Sequence, residues 1–111
     1  MRAARPGLRE YELEAELIHE FRRQGAQAPA YTPIVAGGAN SCVLHYVQND
    51  AVLNDGDVVL IDAGCELDGY ASDITRTFPV SGKFSGPQRD IYQLVLAAQA
   101  AAIAQVKPGN E

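Results

Sequence analysis

Asp62 and Asp73 are the residues of this chain with the clearest chemical promise. Asp62 ends the apolar, β-branched run Val58-Val59-Leu60-Ile61, and Asp73 stands beside the strand formers Ile74, Thr75, Thr77 and Phe78. Asp is depleted in strand interiors. A carboxylate in such a place is costly unless it is paired or holds a metal. Two carboxylates sharing one site repel until a cation, a proton or an arginine joins them.

The element that must position them is a hairpin. Asp68-Gly69 is a strong two-residue loop signal between two strand-like runs. With that loop, Leu67 pairs with Tyr70, and the register counts back to set Asp62 opposite Thr75. Asp73 lies two residues from Thr75, so its side chain points to the same face. The acids are then diagonal neighbours, with Cα atoms about 7–8 Å apart. A bulge or an odd-length loop would put them on opposite faces. Taken singly, Asp62 reads as a strand-end or turn acid, and Asp73 as a partner of Arg76 or a loop cap. The shared face favours a metal.

Other polar candidates are weaker. His45 falls in CVLHYV, Cys42–Val47, which reads as a strand with His45 on the face of Val43 and Val47. By pattern alone, that is a satisfied core histidine. His19 lies beside a helical apolar stripe and lacks a second ligand type one turn on. Gly37-Gly38 lacks the lysine and the glycine spacing of a phosphate loop, so a tight turn is expected. Asp50, Asp55 and Asp57 lack the distal Glu and the spacing of a calcium loop, and read as turn formers.

The chain has 111 residues, 47% of them hydrophobic, enough for one domain with a core. Its net charge of −5 argues against a nucleic-acid partner, which would call for a basic patch. Cys42 and Cys65 have no C-x-x-C spacing and read as reduced thiols. MRAARPG lacks the apolar core of a secretory signal, and no apolar run reaches the ~18 residues of a membrane span. No membrane partner and a cytoplasmic location are expected.

Leu8–Gln24 reads as a helix with Leu8, Tyr11, Ala15, Ile18 and Phe21 inside and Gly25 as its stop. A linker covers residues 26–30. Tyr31–Ala36 reads as a strand that Pro33 confines to an edge. Asp55-Gly56 is a second turn signal. Ser85-x-x-Gln88 is a capping box opening a helix to about Val106, with Ile91, Leu94, Val95, Ala98 and Ala102 buried. Strands joined by short hairpins, with a helix at each end, indicate an α+β fold with an antiparallel sheet.

Four segments, TPIVAGGANSCVLHY, DGDVVLIDAG, GYASDITRTFPVSGKFS and QRDIYQLVLAAQ, resemble the catalytic domain of the aminopeptidase P family. These are the Xaa-Pro aminopeptidases of the pita-bread metallopeptidases. The resemblance runs from about Arg5 to Gly109. It implies two divalent metal ions, with Asp62 binding one, Asp73 bridging both, and His45 beside them as a catalytic, substrate-side residue. Manganese is the expected metal. The implied reaction is release of the N-terminal residue from a peptide with proline in second position, by a metal-activated hydroxide. Prolidase and a non-catalytic pita-bread binding domain are the alternatives. Methionine aminopeptidases usually carry His-Gly where this chain has His45-Tyr46. The family's other ligands, a His and two Glu, match nothing here. Residues 1–111 therefore read as the N-terminal half of the catalytic domain, a fragment inactive alone. The uncovered face would favour a homo-oligomer.

Overall fold

The structure, a computed structural model, describes residues 3–110. Helix α1 spans Glu10–Arg23. Glu12 reaches back to accept from Arg9 N at 2.8 Å, satisfying a donor that the helix start leaves free. Gly25, at φ +96°, takes the left-handed turn that ends it. The buried face matches the expected one only in part, at Leu8, Ile18 and Phe21. Tyr11 and Ala15 are exposed, whereas Glu10 and Leu13 are buried and Leu17, Ile18 and Phe21 half-buried.

Six short strands follow: β1 (Ala28–Pro29), β2 (Ile34–Gly37), β3 (Val58–Ala63), β4 (Cys65–Leu67), β5 (Tyr70–Ala71) and β6 (Ile74–Pro79). They form two antiparallel three-stranded sheets, ordered β1-β4-β5 and β2-β3-β6. This is an α+β arrangement, with β2 at a sheet edge and starting just after Pro33, three residues later than expected. The expected linker at 26–30 instead contributes β1.

The Asp68-Gly69 hairpin forms in the expected register. Leu67 pairs with Tyr70 and Asp62 with Thr75. It is not one continuous ladder, however. The strand pair passes from one sheet into the other at Gly64, where a Cβ would stand 1.6 Å from the Ser72 carbonyl oxygen. Only glycine lets the two backbones come this close, and the hairpin kinks there without losing register.

Alternation along β3 gives the sheet two distinct faces. Val59 packs with Leu13, Val35, Leu53 and Val80 on the α1 side. Leu60 lies with Ile34, Ala36 and Tyr46 on the other. Asp62 shares the second face.

The expected strand Cys42–Val47 is absent. A 3-10 helix, Gly38–Cys42, leads into an irregular loop, with His45 at φ +53° and Asn49 at φ +58°. An extended strand cannot accommodate those angles. Its alternating pattern is broken because Tyr46 turns inward and is buried while Leu44, 87% exposed, turns out.

Helix α2 (Gly86–Ile103) starts at the predicted capping box, with Gln88 N donating to Ser85 Oγ and Ser85 N to Gln88 Oε1. Gln88 Nε2 also donates to Gly56 O at 2.8 Å, tying the helix start to the turn before β3. The helix ends three residues short of Val106. Its expected buried stripe is exposed: Ile91, Leu94 and Val95 are each more than half accessible. The periodicity is real, but among the described residues Ile91 and Val95 face β3 and β6 across a cavity instead of packing into a core.

Candidate metal centre

Asp62 lies near the end of β3 and Asp73 immediately before β6, flanking the kink at Gly64. Their side chains converge. The Tyr31 hydroxyl lies 2.6 Å from Asp62 Oδ1 and 2.9 Å from Asp73 Oδ1, within donating distance of both. That contact requires both acids on one face, as the register implies.

Tyr31 was not singled out by the sequence. It sits in the bend between β1 and β2, held there because Ala30 N donates to Gly64 O at 2.9 Å. Its partners are 31 and 42 residues away, so its local pattern carries no trace of them. Burial first, then the hydrogen bonds to Asp62 and Asp73, push its phenol well above the ordinary value. It therefore remains a proton donor.

A phenol has one proton to offer, and here two carboxylates share it. The cluster is short of positive charge. Arg76 does not supply it; its Nη1 donates to Thr75 O at 2.7 Å. Among the described residues, the only Lys or Arg ion pair is Arg23 with Glu20. Two hard oxygen donors facing each other across such a gap fit a divalent cation. They do not complete a site: among the described residues, no group of three or more His, Cys, Asp and Glu could hold a metal.

His45 enters from the loop after the 3-10 helix. It is exposed, so the reading as a core histidine fails. It lines a cavity of about 390 Å³ with Tyr31, Thr32, Ile34, Val47, Asp62 and Asp73. The three residues singled out thus open onto one space, with Ile34 and Val47 as apolar wall. The others lie apart. His19 is exposed on α1. Asp57 accepts from Asn54 N and Nδ2, as a turn residue does. Cys42 and Cys65 are free thiols.

Loop 43–50 has no regular structure, and its geometry comes from side-chain anchors. The most buried is Glu10, which is 0% exposed. Its Oε1 accepts from Gly37 N at 2.8 Å and Asn40 Nδ2 at 3.1 Å. Its Oε2 accepts from the Tyr46 hydroxyl at 2.8 Å and Ala51 N at 3.1 Å. Burial, then the bond to Glu10, raises the Tyr46 phenol above its ordinary value.

Comparison with known proteins bears on the family and the fold. The profile of metallopeptidase family M24 matches residues 1–111. The Xaa-Pro aminopeptidase of Haemophilus influenzae is 62% identical over 110 residues, 99% of this chain and 26% of that protein. The solved Pseudomonas aeruginosa aminopeptidase PepP superposes with a TM-score of 0.94 at 61% identity, over 97% of this chain and 24% of that one. Zinc-substituted Escherichia coli aminopeptidase P in complex with product superposes at 0.92 and 54% identity, over 96% and 24%. The chain spans about a quarter of the length of the relatives it matches.

Proposed function

The chain belongs to metallopeptidase family M24, and from that premise we propose that residues 1–111 are the first half of the catalytic domain of an Xaa-Pro aminopeptidase. The observation that carries the reading is the convergence of Asp62 and Asp73 on the Tyr31 hydroxyl. Relatives named Xaa-Pro aminopeptidase support it over prolidase. Asp62 and Asp73 would hold the metal ions. When bound, the ions polarise the scissile carbonyl and lower the pKa of water. Hard oxygen donors suit manganese.

The chain's own residues do the rest of the positioning. Tyr31 holds both carboxylates at fixed angles, as an outer hydrogen-bond partner of a ligand does. His45, across the same cavity, takes the substrate side and hydrogen-bonds the peptide there. Ile34 and Val47 offer an apolar wall. The remaining ligands come from elsewhere in the whole protein, and the substrate is a peptide with proline in second position. Among the described residues no helix is long and apolar enough to cross a membrane. With two free thiols, the reducing cytoplasm is the compartment this reading favours.

The test is a pair of variants in the whole protein. Asp73→Ala should abolish hydrolysis of an Xaa-Pro tripeptide and lower bound manganese. Asp50→Ala should leave both near normal, because Asp50 is exposed and only its backbone oxygen, bonded by Arg9, is engaged. Full turnover and full metal content in Asp73→Ala would refute the assignment.

A further inference from the structure

We infer that Glu10 is a positioning residue for His45, acting through Tyr46; the inference rests on the substrate-side role of His45 proposed above. The loop that carries His45 has no ladder of backbone hydrogen bonds to hold it. A segment of that kind takes its shape from whatever grips its side chains. One carboxylate grips this one at both ends and in the middle. Glu10 accepts from Gly37 N and Asn40 Nδ2, where the loop leaves β2. It accepts from Ala51 N, where the loop rejoins the α1 entry. Between those ends it accepts from the hydroxyl of Tyr46, the residue after His45.

The hub is fully engaged. Both oxygens have two donors each, and the side chain is shut off from water. Asn40 Nδ2 also donates to the Tyr46 hydroxyl at 3.0 Å, so Tyr46 is held from two sides. One turn along α1, Glu14 accepts from Asn49 Nδ2, a second grip on the same loop. The space is tailored: a Cβ on Gly37 would stand 2.4 Å from Leu53 Cδ2 and 3.5 Å from Glu10 Oε1. With Tyr46 pinned inward and His45 in the left-handed region at φ +53°, the imidazole lines the cavity of Asp62 and Asp73. A buried carboxylate with four donors and no catalytic contact is thereby explained. It sets the angle of a residue it does not touch.

Tyr46→Phe, His45→Ala and the double variant, made in the whole protein, test this. Removing one hydroxyl leaves the ring to fill its place. Tyr46→Phe should lower kcat/KM about tenfold or more, since small misplacements near reacting groups cost that much. It should leave bound manganese unchanged and, in the metal-free protein, shift the His45 imidazole signal in NMR. In the His45→Ala background the same substitution should cost nothing further. Glu10→Gln, which turns one acceptor into a donor, should follow the same pattern; if it does not fold, Tyr46→Phe decides. A wild-type kcat/KM in Tyr46→Phe, or an undiminished loss in the double variant, overturns the inference while the reading of His45 stands. An unchanged kcat/KM in His45→Ala overturns that reading, and the inference with it.

Discussion

Gly64→Ala should be among the most damaging small substitutions in this chain, and the structure says by how much. An added Cβ would lie 1.6 Å from Ser72 O and 2.5 Å from Ser72 C, both backbone atoms. Real Cβ atoms do not approach closer than 3.0 Å, so the strands must part by about 1.4 Å at the kink. Parting them strains Ala30 N to Gly64 O, Ser72 N to Cys65 O and Cys65 N to Ser72 Oγ. Overpacking of this kind costs about 1–3 kcal/mol, and each backbone hydrogen bond lost adds about 1. A total of about 4–6 kcal/mol follows if all three bonds are lost, with no flexible side chain to yield instead. The damage reaches the site, because Ser72 is joined to Asp73 and Ala30 to Tyr31. Gly69→Ala is the control: it meets nothing within 4 Å and costs only the strain of φ +82°. Denaturant unfolding and manganese titration of the whole protein would measure both. Gly64→Ala should be destabilised and should bind manganese at least about tenfold more weakly, as displaced ligand support predicts. Gly69→Ala should bind it as the parent does. Wild-type stability and metal affinity in Gly64→Ala would refute the close-approach argument.

Three further outcomes are expected. Tyr31→Phe keeps the ring and deletes the shared donor, so manganese affinity should fall about ten- to a hundredfold by titration calorimetry, with the fold intact by circular dichroism. Tyr46, whose folded pKa is raised by burial, stabilises the fold fully below its unfolded pKa of about 10 and loses that stabilisation as pH rises through the folded value. Denaturant midpoints should therefore drop with alkaline pH in the parent and drop less in Tyr46→Phe. The isolated 111-residue chain, with two carboxylates and, among the described residues, no third ligand grouped with them, should bind manganese weakly and hydrolyse no Xaa-Pro tripeptide; robust turnover by the pure chain would sink the two-metal reading.

What could be read without a structure was local. The Asp68-Gly69 loop imposes a register on everything paired across it, and strand alternation then decides faces. For that reason the sequence alone placed Asp62 opposite Thr75 and both acids on one side. Ser85 and Gln88, three residues apart, likewise announced the start of α2. The failures share one cause. CVLHYV alternates like a strand, yet Tyr46 turns inward to donate to Glu10, 36 residues away, and His45 stands in the left-handed region. Tyr31 meets Asp62 and Asp73 only because β1 pairs with β4 and carries the bend toward Gly64. The α2 stripe has helical periodicity, but periodicity says that a face is apolar, not what covers it. Local geometry is written in short-range steric rules and is recoverable residue by residue. Which distant group satisfies a buried carboxylate, or a shared phenol, is decided by tertiary packing alone, because the hydrogen bond that settles it joins atoms whose sequence neighbours carry no record of the meeting.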